Sequence, residues 1–178
     1  IRGFVDVNFA VIAPAGGFTA AGTTTHHSET ATWSFDYAVP TMAGIDAGGG
    51  VLFSKTFGFG LAVSQASASG NPILKVTEPH PYFYNASASA TLNGTTALKR
   101  SETAVHIQAV FCPALKNNKL QVRLYGGPSY FSMNQEVIDA FWYNETYSLY
   151  TTAHSIEITR YTSKNISASG WGFHGGAD

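Results

Sequence analysis

Charge is the scarcest commodity in this chain. Asp, Glu, Lys and Arg make up 12% of its 178 residues, about half of the roughly 25% usual in soluble globular proteins. A protein dispersed in water uses such charges to stay dispersed, so their scarcity asks for a surface that water does not cover. Lipid, a large assembly interface or a glycosylated coat would each serve. The charges that remain nearly balance, at a formal net of −1, and no Lys/Arg cluster interleaves with aromatics. Nucleic acid is therefore not an expected partner.

Cysteine is almost missing as well. Cys112 stands alone, so no internal disulfide can staple the chain. No neighbouring base or helix N-terminus marks it as a thiolate nucleophile. Long apolar runs are absent: nothing approaches the roughly 18–20 residues of a membrane helix. Helical periodicity is nearly absent too. If the chain enters a membrane, it does so as strands.

What the sequence does have is alternation. "RGFVDVNFAVI" (2–12) puts Val5, Val7, Phe9 and Val11 on one face and Asp6 and Asn8 on the other. "GIDAGGGVLFS" (44–54) sets Ile45, Ala47, Val51 and Phe53 against Asp46, Gly48 and Gly50. "FGFGLAVSQAS" (57–67) sets Phe57, Phe59, Leu61 and Val63 against Gly58, Gly60, Ala62 and Ser64. In "ETAVHIQAVF" Val105, Ile107, Ala109 and Phe111 oppose His106 and Gln108. After "PALKNNK", Leu120, Val122 and Leu124 oppose Gln121, Arg123 and Tyr125. A sixth strand begins at "GWGFHGGAD". Period-2 patterning of this kind predicts strands with one oily and one polar face.

The connections sort by length. "SKTF" and "PALKNNK" are short, whereas residues of about 13–42, 70–99 and 132–168 form long loops, the first carrying a strand of its own in "SETATWSFDYAV" (28–39). In an up-and-down sheet this alternation puts every short turn at one end and every long loop at the other, the habit of outer-membrane barrels. The polar face suits a narrow barrel interior. Gly48, Gly50, Gly58, Gly60, Ala62 and Gly127 are small where His106, Gln121, Arg123 and Tyr125 are large, as a tapering lumen requires. Asp6 and Asp46 share the parity of Arg123 and are its expected partners, since an unpaired guanidinium inside would be costly.

"RGFVDVNF", "GIDAGGGVLFSKTFGFGLAVS", "LKRSETAVHIQAVF" with "KLQVRLYGGPSYF", and "GWGFHGGAD" resemble the bacterial outer-membrane protein β-barrel domain family of small eight-stranded barrels. The resemblance covers the strand segments, about a third of the chain. It implies up-and-down neighbours, both termini on the periplasmic side, and a structural or small-solute role, and it brings no catalytic residues with it. Members of that family finish on an aromatic residue, whereas "GWGFHGGAD" reads as the start of a strand; the last strands of the barrel are expected not to be present in this chain.

Chemistry is sparse. The six histidines (His26, His27, His80, His106, His154, His174) show no His-x-His or HExxH spacing, so no metal site is expected. "GGPSY" (126–130) offers Ser129, which with His106 and Asp46 could be imagined as a triad, but no strand–elbow–helix motif surrounds it. "AGGGVLF" lacks the helix and Lys of a phosphate loop. Asn-x-Ser/Thr sequons stand at Asn85, Asn93, Asn144 and Asn165, and the loops carry aromatic runs, "HPYFYN" (80–85) and "FWYNETYSLY" (141–150).

These features lead to an expectation: one domain over 1–178, all-β, an antiparallel up-and-down β-barrel of the eight-stranded type in the bacterial outer membrane. Its oily residues would meet the lipid bilayer, and Asp6, Asn8, Asp46, His106, Gln108, Gln121, Arg123 and Tyr125 would face the lumen. The role would be structural or that of a narrow pore for small solutes, non-enzymatic and without a cofactor. Other envelope proteins or copies of the chain would meet the aromatic loops. The alternative is a secreted β-sandwich subunit of a surface layer or filament, assembled by strand exchange.

Overall fold

The computed structural model describes residues 1–12, 17–38, 40–113 and 122–177. Among them are ten strands and no helix: β1 (Arg2–Ile12), β2 (Phe18–His26), β3 (Glu29–Tyr37), β4 (Met42–Leu52), β5 (Phe57–Gly70), β6 (Ile73–Pro79), β7 (Ser87–Asn93), β8 (Leu98–Phe111), β9 (Leu124–Tyr147) and β10 (His154–Ala177). The all-β, antiparallel reading holds. The strands form two open sheets, one of six strands in the order β1-β4-β5-β8-β9-β10 and one of four in the order β2-β3-β6-β7. β1 and β10 are the free edges of the larger sheet, which does not close on itself among the described residues.

The six alternating segments follow one another across the larger sheet as up-and-down neighbours. Gly49 pairs with Val5 on one side and with Leu61 on the other, and Leu61 pairs with Ile107. The short "SKTF" connection is a tight turn: the Phe53 and Ser54 N–H groups donate to the Phe57 carbonyl, and Ser54 Oγ accepts from the N–H groups of Thr56 and Phe57. Most of "PALKNNK" lies outside the described residues.

The stretches expected as long loops turn out to be largely strand. β2 and β3 occupy the first and β6 and β7 the second. The third is the outer halves of β9 and β10, which run for 24 residues each around a turn at 148–153. The four-stranded sheet packs on these outer halves. Phe35 and Tyr37 of β3 and Leu74 and Val76 of β6 meet Leu98, Ile138 of β9 and Ile158 of β10 in the main buried apolar cluster. Tyr37 Oη accepts a 2.5 Å hydrogen bond from the Ile138 N–H, tying the two layers together. Register shifts at Ile158/Arg160 and Thr162/Ser163 mark where β10 leaves this cap, since a bulge bends a strand and re-aims its side chains.

The burial pattern of the larger sheet is inverted relative to a water-soluble protein. On β1, Val5, Val7, Phe9 and Val11 all lie open, Phe9 at 85% of its full exposure, and Phe173 on β10 reaches 87%. The residues buried on the opposite face include Ala62, Ala66, Ala104, Val110 and Ser129, most of them small.

Candidate functional site: a polar recess on the six-stranded sheet

The face opposite the exposed apolar residues curls around a recess of about 430 Å³. Seven of the eight residues expected to face a lumen line it: Asp6 on β1, Asp46 on β4, His106 and Gln108 on β8, Arg123 just before β9 and Tyr125 near its start, with Asn8 at an exposed rim. Gln121 lies outside the described residues. The strand residues come together because each occupies the inward parity of its strand and neighbouring strands are in register; Arg123 joins them from the segment that leads into β9.

Arg123 organises the recess. Its Nη2 donates to Asp6 Oδ1 at 2.6 Å, and its guanidinium stacks 4.6 Å over the Phe4 ring. This contact spans from just before β9 back to β1, four strands away in the sheet order, so the sheet must be strongly curled. Of the two expected carboxylate partners, Asp6 is the one engaged. Asp46 has no hydrogen bond or ion pair among the described residues, which leaves two carboxylates facing one guanidinium. Glycines make room for this packing. A Cβ on Gly50 would fall 2.6 Å from the Phe4 ring and still closer to the Phe59 carbonyl oxygen. One on Gly127 would strike the Ile107 carbonyl.

Parity sets His174 on the polar face of its strand, opposite Trp171 and Phe173, but does not show which side chains it meets there. In "GWGFHGGAD" it is a lone His on a Gly-rich stretch, and its partners come from strands far away in sequence. Ser129 Oγ is wholly buried and sits 2.7 Å from His106 Nδ1 and 2.7 Å from His174 Nδ1. His106 Nε2 is 3.0 Å from Ser64 Oγ. The two imidazole centroids are 4.5 Å apart. Local register explains it: His106 is the cross-strand partner of Ser129, while Gly172, two residues before His174, is its partner on the other side. Adjacent and diagonal same-face pairs are within reach of one another.

The hydroxyl carries one proton. When both rings are neutral, Ser129 therefore donates to one imidazole and accepts from the other, which links the two tautomers. His174 Nε2 is buried without a partner among the described residues. The imagined triad is half made: Ser129 meets His106, but the third group is His174 rather than Asp46. His106 turns its other nitrogen to Ser64, so no carboxylate orients the ring as a triad requires. Among the described residues no group of three or more His, Cys, Asp or Glu side chains is placed to hold a metal ion. Cys112 is a free, half-buried thiol.

No family model matches the chain, and neither a curated protein nor a solved structure pairs with it.

Proposed function

We propose that the six-stranded sheet is the lipid-embedded part of an outer-membrane β-barrel, with its apolar face outward and the recess as part of its interior. The observation that carries this reading is a boundary. Val63, Val105, Tyr130 and Trp171 pair in one outward row across β5, β8, β9 and β10. The next outward row is Gln65, Thr103, Ser132 and Ser169, joined by the same ladders. The surface thus changes from apolar to polar in one step along four strands. Tyr130 and Trp171 meet edge to face, with centroids 5.4 Å apart, on the apolar side of that step. Phe57 and Phe111, at 5.0 Å, mark the opposite margin. Aromatic residues at both margins of an apolar band are what a bilayer selects. On β4 and β1 the apolar run climbs further, to Ile45, Phe9 and Val11, as a level boundary would across tilted strands.

The proposed role is structural or that of a narrow path for small solutes, and non-enzymatic. Closure needs further strands between β10 and β1, whichever chain supplies them, because lipid does not tolerate unpaired sheet edges. The test is site-directed spin labelling in a Cys112→Ser background. Labels at Leu61 and Ile107 are expected to collide with oxygen in the bilayer, and labels at Gln65 and Thr103 with a water-soluble nickel chelate. Equal chelate access at all four positions would sink the proposal.

A second reading is favoured by one feature, the two open edges. Residues Thr162–Gly170 of β10 are exposed apart from Tyr161 just before them, so this edge is free to take a strand from another copy. A secreted subunit polymerising by strand exchange would use it so. That reading predicts ordered polymers in detergent-free buffer, visible by electron microscopy.

A further inference from the structure

The four histidines outside the recess gather at the far end of the cap, where no pattern in the sequence places them together. The β2–β3 turn consists of His27 and Ser28, both at positive φ (50° and 66°), the backbone of a two-residue hairpin turn. It brings His26 Nδ1 to 2.9 Å from Glu78 Oε2 on β6 and His27 Nε2 to 3.9 Å from Glu145 Oε1 on β9. His154, at the start of β10, places Nε2 2.9 Å from the same Glu145 oxygen. His80, which opens the β6–β7 loop, packs its ring against His154 at 5.2 Å and against Tyr147 at 6.0 Å.

Hydrogen bonding fixes the tautomers here. His80 Nδ1 accepts from the N–H groups of Tyr82 (3.1 Å) and Phe83 (3.2 Å), so its lone pair is occupied and the neutral ring carries its proton on Nε2. Glu145 can only accept from His154 Nε2, so that nitrogen carries the proton and Nδ1 holds a lone pair. The two nitrogens left over, His80 Nε2 and His154 Nδ1, are both buried without a partner. On rings in contact, one is a donor and the other an acceptor. His80 is 2% exposed and the His154 side chain 1%, so neither nitrogen is relieved by bulk water.

We propose that His80 is a pH-operated latch on the 80–86 loop, closed while its ring is neutral and released when it takes a proton. A proton can add only to Nδ1. It would displace both backbone donors that shape the start of the loop and leave a cation buried. Among the described residues no carboxylate is bonded to His80: Glu78 is engaged by His26 and Glu145 by His154. A proton on His154 would add a like charge beside it and turn its free acceptor into a second donor. The other contacts of the loop are few: the Ala86 N–H donates to the Phe83 carbonyl, the Phe83 ring lies edge-on to His80, and the Tyr82 ring tilts against Tyr147. The His80 N–H donates to the Ala86 carbonyl, Asn85 donates its N–H to Glu29, and Tyr82 and Tyr84 stand open. The inference does not depend on whether the larger sheet meets lipid.

Hydrogen–deuterium exchange on the intact protein at about pH 7.5 and about pH 5.5, a range in which histidine as a residue type changes charge, tests it after correction for the intrinsic pH effect. The expected result is that the Tyr82 and Phe83 amides lose protection about tenfold or more at the lower pH while those of β6 do not. His80→Asn sets a carboxamide oxygen where Nδ1 stands and cannot titrate, so its loop should stay protected at both values. Wild-type protection unchanged by pH would overturn the proposal, and so would a His80→Asn loop that still opens in acid. If the variant does not fold, the wild-type profile decides.

Discussion

Among the described residues Arg123 meets a carboxylate at 2.6 Å and an aromatic face at 4.6 Å, and both contacts depend on the shape of a guanidinium. Lysine would keep the charge but lose the stacked plane. Arg123→Ala is expected to destabilise the sheet by about 1.5–3 kcal/mol, the range for a charge-assisted hydrogen bond, read as a lower urea midpoint in refolding. Asp46 adds a second carboxylate to the lining of the recess. If it conducts, Asp46→Asn should reduce cation-over-anion selectivity in planar-bilayer reversal potentials, with the gel mobility of the folded form unchanged. Tyr37 lies buried in the cap. Burial raises its phenol above the ordinary value, partly offset by the bond with Ile138. Tyr143 is raised too, by burial first and then by Glu78. A phenol raised on folding stabilises fully below the unfolded value of about 10, and that stability is lost as pH rises beyond it. The cap should therefore loosen in alkali, and Tyr37→Phe should flatten that dependence, as followed by circular dichroism.

On β5 the outward series Phe57, Phe59, Leu61, Val63 gives way to Gln65, Ser67, Ser69, so the same substitution should have opposite consequences four residues apart. Leu61→Arg is expected to cost about 2–4 kcal/mol of insertion, and Gln65→Arg about 0–1, measured by refolding into lipid vesicles. β1, β4, β5 and β8 were legible because each of their faces has one chemistry. β2 ("FTAAGTTTH") and β7 ("SASATLN") were not. Their residues are small or hydroxylic on both faces, and their partners come from other strands of the cap. The outer part of β10 was hidden for another reason: from Thr162 to Gly170 both faces are exposed, and a strand without a buried face has no alternation to show. The recess was legible by parity, since parity is local. The union of Ser129, His106 and His174 was not, because it depends on register between strands.

At the scale of the whole molecule the protein has two regions of opposite burial. The cap has an ordinary apolar interior under Phe35, Leu74 and Ile138, whereas the larger sheet carries its apolar residues outside. Added detergent should therefore protect the larger sheet and leave the cap unaffected. Limited proteolysis with and without micelles would show this as a change in cutting confined to residues of β1, β4, β5 and β8. Two strands belong to both regions. At about 3.3 Å per residue, the 24 residues of β9 or β10 extend about 80 Å, far more than the roughly 9–11 residues a bilayer uses. That continuity has a mechanical meaning. A pull on the tip along the strand axis would load the β8–β9 ladder in shear, all its bonds at once, instead of peeling them one by one. The cap would then hold against tension like a rivet rather than a zip.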